Sequence, residues 1–275
     1  MTLRGCSIVW LFLVFVLIMG GAIPLIATEK IIQESEIGTV LQYLQARELK
    51  SRLRGLLFAH RTSDKRVFEQ LVKMYEEGHD IRENVYRAML RLNQEAKGRF
   101  SAELVSVVTK EIDRLKRDAP HDIEKYIYSF LGHVVSVAPD QHFDSFVKWV
   151  VSNIDDLCDG PAPIRDELER YCNMYFAAQG DEECLGKLAA RFNMPTTNKY
   201  DSKLIEIFIA RKDPRIFHSL IEEVKTTRKP SVFFVELVMK YAKEMNLAIP
   251  KAIQDKMQGV IHDFDAAADL DQGRF

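Results

Sequence analysis

The amino-acid sequence predicts an all-α protein, a right-handed-type α-solenoid of about six helix-turn-helix hairpins behind an N-terminal hydrophobic helix. Three observations carry this expectation. Apolar residues recur at i, i+3, i+4 and i+7, the spacing of a helix face, and nowhere alternate as a half-buried strand requires. The pattern itself recurs along the chain, and turn-forming residues fall between its copies. With 47% hydrophobic residues but only 9 Pro and 13 Gly in 275 residues, there is ample material for a core of helices joined by short turns.

The first element is an uncharged run from Ile8 to Ala27, preceded by Arg4 and followed by Glu29 and Lys30. About 20 apolar residues suffice to cross a bilayer as a helix. The same run fits a cleaved secretory signal, with Arg4 as a short basic start and Gly20, Gly21 and Ala22 as small residues for a peptidase. Residues 1–28 are therefore expected to be a signal anchor or signal peptide, which places the protein at a membrane or in the secretory pathway. Residues 29–46 form a connecting segment or capping helix, 47–265 the repeat domain, and 266–275 a flexible tail.

Within the repeat domain the clearest copies are Val67, Phe68, Leu71, Val72, Tyr75 and Ile216, Phe217, Leu220, Ile221, Val224. Taking Phe68, Val105, Phe143, Leu185, Phe217 and Ile253 as equivalent gives separations of 37, 38, 42, 32 and 36 residues. Ahead of each lies another helical stripe: Leu53, Leu56, Leu57; Val85, Tyr86, Met89, Leu90; Ile127, Phe130, Leu131, Val134; Leu168, Tyr171, Tyr175; Leu204, Ile205, Phe208; and Phe233, Phe234, Leu237, Tyr241. Each unit is thus a first helix followed by a second. One such hairpin cannot bury both its faces, so neighbours must stack. Asp64, Asp140, Asp181 and Asp213 stand where they would cap the second helices, while Gly78, Gly160-Pro161, Pro195 and Pro230 end units.

The unit from Thr196 to Ser231 resembles a pentatricopeptide repeat, with Tyr200, Ser202, Leu204, Ile205, Phe217, Leu220 and Pro230 in the corresponding places. Residues 47–80 form a weaker copy through Ser51, Leu53, Phe68, Leu71, Met74 and Gly78, and a looser similarity extends to animal mitochondrial proteins of the leucine-rich pentatricopeptide type. The spacing of the third and fourth units drifts towards HEAT repeats, so a HEAT-like or unclassified solenoid is the alternative. The pentatricopeptide resemblance implies single-stranded RNA binding in organelle RNA metabolism and a mitochondrial location. It would place polar residues of the first helices, Ser51, Ser129 and Ser202 with Ala88 and Cys172 at equivalent positions, along the RNA.

Charge gives a second pointer. Residues 47–118 carry 17 Lys and Arg against 12 Asp and Glu, while residues 119–275 carry 19 against 25. Arg47, Lys50, Arg54 and Arg61 fall on one stripe of the first helix, and Arg87 and Arg91 stand one turn apart on the next first helix. Such a surface suits phosphates, and it equally suits a solvated face paired with Glu48, Glu83 and Glu95. The partner is accordingly a single-stranded RNA or a protein lying along the helical surface.

Enzyme signatures are missing. There is no Gly-rich phosphate loop, HExxH, CxxC or nucleophile elbow, so no catalytic residue, cofactor or metal is expected. Cys6 adjoins the apolar run, and the spacing of Cys158, Cys172 and Cys184 matches neither a disulfide framework nor a zinc site. Asp263, Asp265, Asp269 and Asp271 lie in the expected tail, without the backbone constraint a metal site needs.

Overall fold

A computed structural model of the chain describes residues 34–78, 81–137, 139–157, 162–194 and 199–272; the apolar run from Ile8 to Ala27 lies outside them. Among the described residues there are fourteen α-helices and no strand. They are α1 (Glu34–Gln45), α2 (Leu49–Ala59), α3 (Lys65–Glu76), α4 (Arg82–Glu95), α5 (Ser101–Asp118), α6 (Ile123–Ser136), α7 (Gln141–Ser152) and α8 (Ile154–Leu157). There follow α9 (Ala162–Gln179), α10 (Glu182–Phe192), α11 (Ser202–Ala210), α12 (Phe217–Thr226), α13 (Val232–Glu244) and α14 (Lys251–Gln272). None of the described helices is long and apolar enough to cross a membrane.

Adjacent helices pair like hairpins, most extensively α1 with α2 and α9 with α10. The first helices of the six expected units, α2, α4, α6, α9, α11 and α13, pack each on the next in an unbroken series. Their buried stripes explain why. Val85 and Met89 on α4, Ile127, Phe130, Leu131 and Val134 on α6, Leu168 on α9 and Ile205 and Phe208 on α11 have no solvent exposure at all. The second helices contribute Phe68, Leu104, Phe143, Leu185 and Leu220, all buried, to the same continuous core.

Local chemistry sets the turns. Asp64, Asp140 and Asp181 each accept a backbone N–H in the first turn of α3, α7 and α10, from Arg66, His142 and Cys184 respectively. On the other side of these turns, where the first helices end, four of them close in the same way. Lys97, Gly180, Lys212 and Asn246 follow α4, α9, α11 and α13 with φ of 53°, 106°, 52° and 52°. The next residue in each case, Gly98, Asp181, Asp213 or Leu247, donates its N–H back five residues, to Asn93, Phe176, Phe208 or Ala242. This left-handed closure satisfies carbonyls that the helix end would otherwise orphan and turns the chain towards the second helix.

Four expectations need correction. Leu53 and Leu57 were expected in the buried stripe of α2; Leu56 is buried, but Leu53 and Leu57 are 36% and 63% exposed, because α2 opens the series and no described first helix precedes it. Phe233 is exposed on α13, where Phe234, Val238 and Tyr241 make the buried line. In the fifth unit Ile216, rather than Phe217, is fully buried. Asp213 accepts the Arg215 N–H, holding a turn there, and regular helix begins only at Phe217. Finally, α14 continues to Gln272 through the stretch expected as a tail, consistent with the high helix propensity of Ala266–Ala268.

Candidate functional site

A concavity of about 820 Å³ lies where α6, α9, α10 and α11 meet. Three of these are successive first helices, so the groove follows from the stacking itself. Tyr128 enters from α6, Asp166, Glu167 and Arg170 from α9, Lys187 and Arg191 from α10, and Asp201 and Leu204 from the start of α11. Met194, 54% exposed, and Phe192 complete the wall.

A chain of ion pairs runs through its floor. Arg191 Nη2 lies 2.7 Å from Glu167 Oε1, Glu167 Oε2 lies 2.7 Å from Arg170 Nη2, and Arg170 Nη1 pairs with Asp201 Oδ2. Asp201 has a second duty: its Oδ1 accepts the Leu204 N–H at 3.0 Å and caps α11. Arg191 also donates to the Asp166 carbonyl at 2.7 Å. Arg170 is mostly covered and lies over the Tyr171 ring at 4.7 Å; Tyr171 meets Tyr128 edge-on at 5.2 Å. Burial opposes the charge on Arg170, yet the hydrogen bonds it donates to Glu167 and the charge of Asp201 hold its pKa above the ordinary arginine value. The groove is therefore polar and rigidly wired, with three acids balancing three bases along its wall, and an exposed tyrosine and methionine at its rim.

The residues expected to approach RNA are scattered by comparison. Ala88 and Cys172 are buried, and burial pushes the Cys172 thiol up to about 12. Neither can meet a ligand. Ser51 donates its hydroxyl to Glu48 at 3.1 Å, and Ser202 is half-buried in the first turn of α11, directly after the Asp201 cap. Ser129 is exposed beside Tyr128. Ser129 and Ser202 are chain neighbours of Tyr128 and Asp201, but none of the three serines lines the groove.

Arg47, Lys50, Arg54, Arg61, Arg87 and Arg91 are all exposed, on or beside α2 and α4, which pack together at the opposite part of the chain. Arg87 pairs with Glu83 at 2.6 Å, while Arg54 lies 5.8 Å above the Tyr43 ring. Among the described residues, no three His, Cys, Asp or Glu side chains gather in a manner that could hold a metal ion. Sequence reasoning missed Glu167, Arg170, Arg191 and Asp201. The i, i+3 pair of Glu167 and Arg170 was visible in the sequence, but nothing there announced that α10 and α11 would complete it. No protein-family model, curated protein or solved structure matches the chain.

Proposed function

We propose that the protein is a non-catalytic helical-repeat scaffold, its six hairpins stacked as a right-handed-type solenoid and tethered to a membrane through Ile8–Ala27, and that it seats a protein partner in the groove between α6, α9, α10 and α11. The observation that carries this reading is the balance of charge in that groove. Phosphate backbones select cationic surfaces. A groove with Asp166, Glu167 and Asp201 set against Arg170, Lys187 and Arg191 instead offers both donors and acceptors to a polypeptide. Tyr128 and Met194 at its rim supply the aromatic and thioether contacts enriched at protein interfaces. Arg170 and Asp201, already fixed by their pairs, present their groups at little further entropic cost.

A photo-crosslinking residue at Met194, introduced into the full chain in cells, tests this. A protein adduct that disappears when Tyr128→Ala is added supports the groove, since Tyr128 takes no part in the ion pairs. An adduct sensitive to ribonuclease, or a protein adduct indifferent to Tyr128, overturns it.

A second reading, pentatricopeptide-like binding of single-stranded RNA in an organelle, draws support from a different observation. All six arginines and lysines picked out on or beside α2 and α4 are solvent-exposed. RNA would then follow the first two hairpins rather than the groove.

A further inference from the structure

The exposed side of α2 carries more than cations. Leu49, Leu53 and Leu57, successive turns of one helix, are 48%, 36% and 63% exposed, the densest line of uncovered aliphatic side chains among the described residues. On the helix surface Lys50 and Arg54 run along one side of that line, and α2 contains no acidic residue. Glu48, just ahead of it, is engaged by the Ser51 hydroxyl. A leucine stripe edged by lysine and arginine is the pattern of a helix that lies in a lipid interface with its cations at the headgroups.

Position makes the match physical. Gly55 of α2 lies so close to α1 that a Cβ there would come within 2.9 Å of Leu44, so α2 is clamped to α1 and cannot turn its leucines inward. The two helices are joined by the short connection 46–48 and pack on each other more extensively than any other described pair. Only residues 28–33 separate that start from the uncharged run Ile8–Ala27, and six residues reach no further than about 20 Å. A membrane holding that run therefore lies within about 20 Å of the start of α1, the helix on which α2 is packed.

We propose that the Leu49–Leu53–Leu57 face of α2, with Lys50 and Arg54, docks on an anionic lipid surface and fixes the orientation of the hairpin stack relative to the membrane. This rests on the tether in the preceding reading and is independent of the groove. The apolar side chains enter the headgroup boundary while the two cations meet lipid phosphates and carboxylates.

The full chain reconstituted into vesicles of phosphatidylcholine alone, or of phosphatidylcholine with phosphatidylserine, tests the surface by hydroxyl-radical footprinting. On the anionic vesicles the oxidation rate of Leu53 and Leu57 is expected to fall by at least half relative to neutral vesicles. Phe233, 58% exposed on α13, serves as the internal reference and stays unchanged. Lys50→Glu with Arg54→Glu abolishes the difference while the helical circular dichroism is retained. Equal leucine reactivity on both vesicles overturns the proposal, as does protection that persists in detergent and grows with protein concentration, which would assign the face to a second copy. Protection conferred by RNA in detergent and not by lipid overturns it too. Alkaline carbonate separates the two readings. Release of the chain by carbonate disposes of the tether, yet lipid-dependent protection before release still supports the docking face; retention without protection overturns the face alone.

Discussion

The Asn93 side chain of α4 donates from Nδ2 to Nε2 of His133 on α6 across 3.2 Å, tying the second and third first helices together inside the core. The direction of that bond is set by the other end of the amide, because Asn93 Oδ1 accepts the Phe100 N–H at 2.8 Å. His133 Nε2 must then be unprotonated, and the ring is held neutral. Burial pushes the His133 pKa down from 6.5 to about 4.

This gives a pH-dependent stability with a definite sign. Between pH 6.5 and about 4 the unfolded chain binds the His133 proton and the folded chain does not, so acid favours unfolding across that window and stability rises with pH. Below the window both states are protonated and the dependence ends. The full effect is of order 3 kcal/mol at neutral pH. Denaturant unfolding of the protein and of His133→Gln from pH 4 to 7 isolates it as the difference between the two curves. Parallel curves would show that His133 does not titrate on unfolding.

The turn after α11 yields the second prediction. Lys212 has φ of 52°, a conformation that costs a residue bearing a Cβ about 1 kcal/mol or more. Lys212→Gly should therefore stabilise the protein by about 1 kcal/mol, without loss of any packed contact since the side chain is exposed. Gly180→Ala, at φ of 106° in the matching turn after α9, should move stability the other way, its new methyl meeting Arg211 at 3.0 Å. Thermal unfolding of both variants checks the pair, and changes of the same sign would refute the shared turn.

These turns mark the limit of what the sequence discloses. Asp64, Asp140 and Asp181 were recognisable as caps because a carboxylate at the start of an apolar period has one common use. The left-handed closures at Lys97 and Lys212 were hidden, since a lysine gives no sign of such a backbone, whereas Gly180 and, more weakly, Asn246 advertise one. Periodicity correctly placed a helical stripe at Leu53, Leu56 and Leu57, but it cannot say whether anything covers it. That depends on where α2 stands in the series. The groove was illegible for the same reason: Arg191 and Asp201 reach α9 across 24 and 31 residues of chain, through tertiary packing alone.

The third prediction separates two phenylalanines that the sequence treats as equivalent. Phe68 is 1% exposed and stacks on Phe100 with ring centroids 4.6 Å apart. Phe217, only partly buried, begins α12 and lies 6.2 Å from the Tyr241 ring. Truncating the first creates an enclosed void; truncating the second opens space to solvent. Phe68→Ala should cost about 3 to 5 kcal/mol and Phe217→Ala about 1 to 2. Because each hairpin supports its neighbours, amide exchange should quicken beyond the mutated unit in Phe68→Ala. A larger loss at Phe217 than at Phe68, read from denaturant midpoints, would contradict the packing.

The RNA reading makes its own demand on Arg47, Lys50, Arg54 and Arg61, and meets the lipid proposal on the same helix. If single-stranded RNA follows the first hairpins, the full chain in neutral detergent binds it, and reversing all four charges weakens binding. Each phosphate contact removed lowers the slope of log affinity against log salt by about 0.7, so the loss of four contacts flattens it by about 3. Helix content stays the same, because all four side chains lie outside the core. Leu53→Ser with Leu57→Ser divides the two ideas. It strips the apolar line that a lipid interface requires and leaves the four cations that RNA requires, so RNA affinity and its salt slope should be untouched while anionic vesicles lose their footprint on α2. Absence of measurable RNA binding by the unaltered chain at low salt would end the RNA reading. Binding that is indifferent to the four reversals would move it elsewhere on the stack, leaving α2 to the membrane.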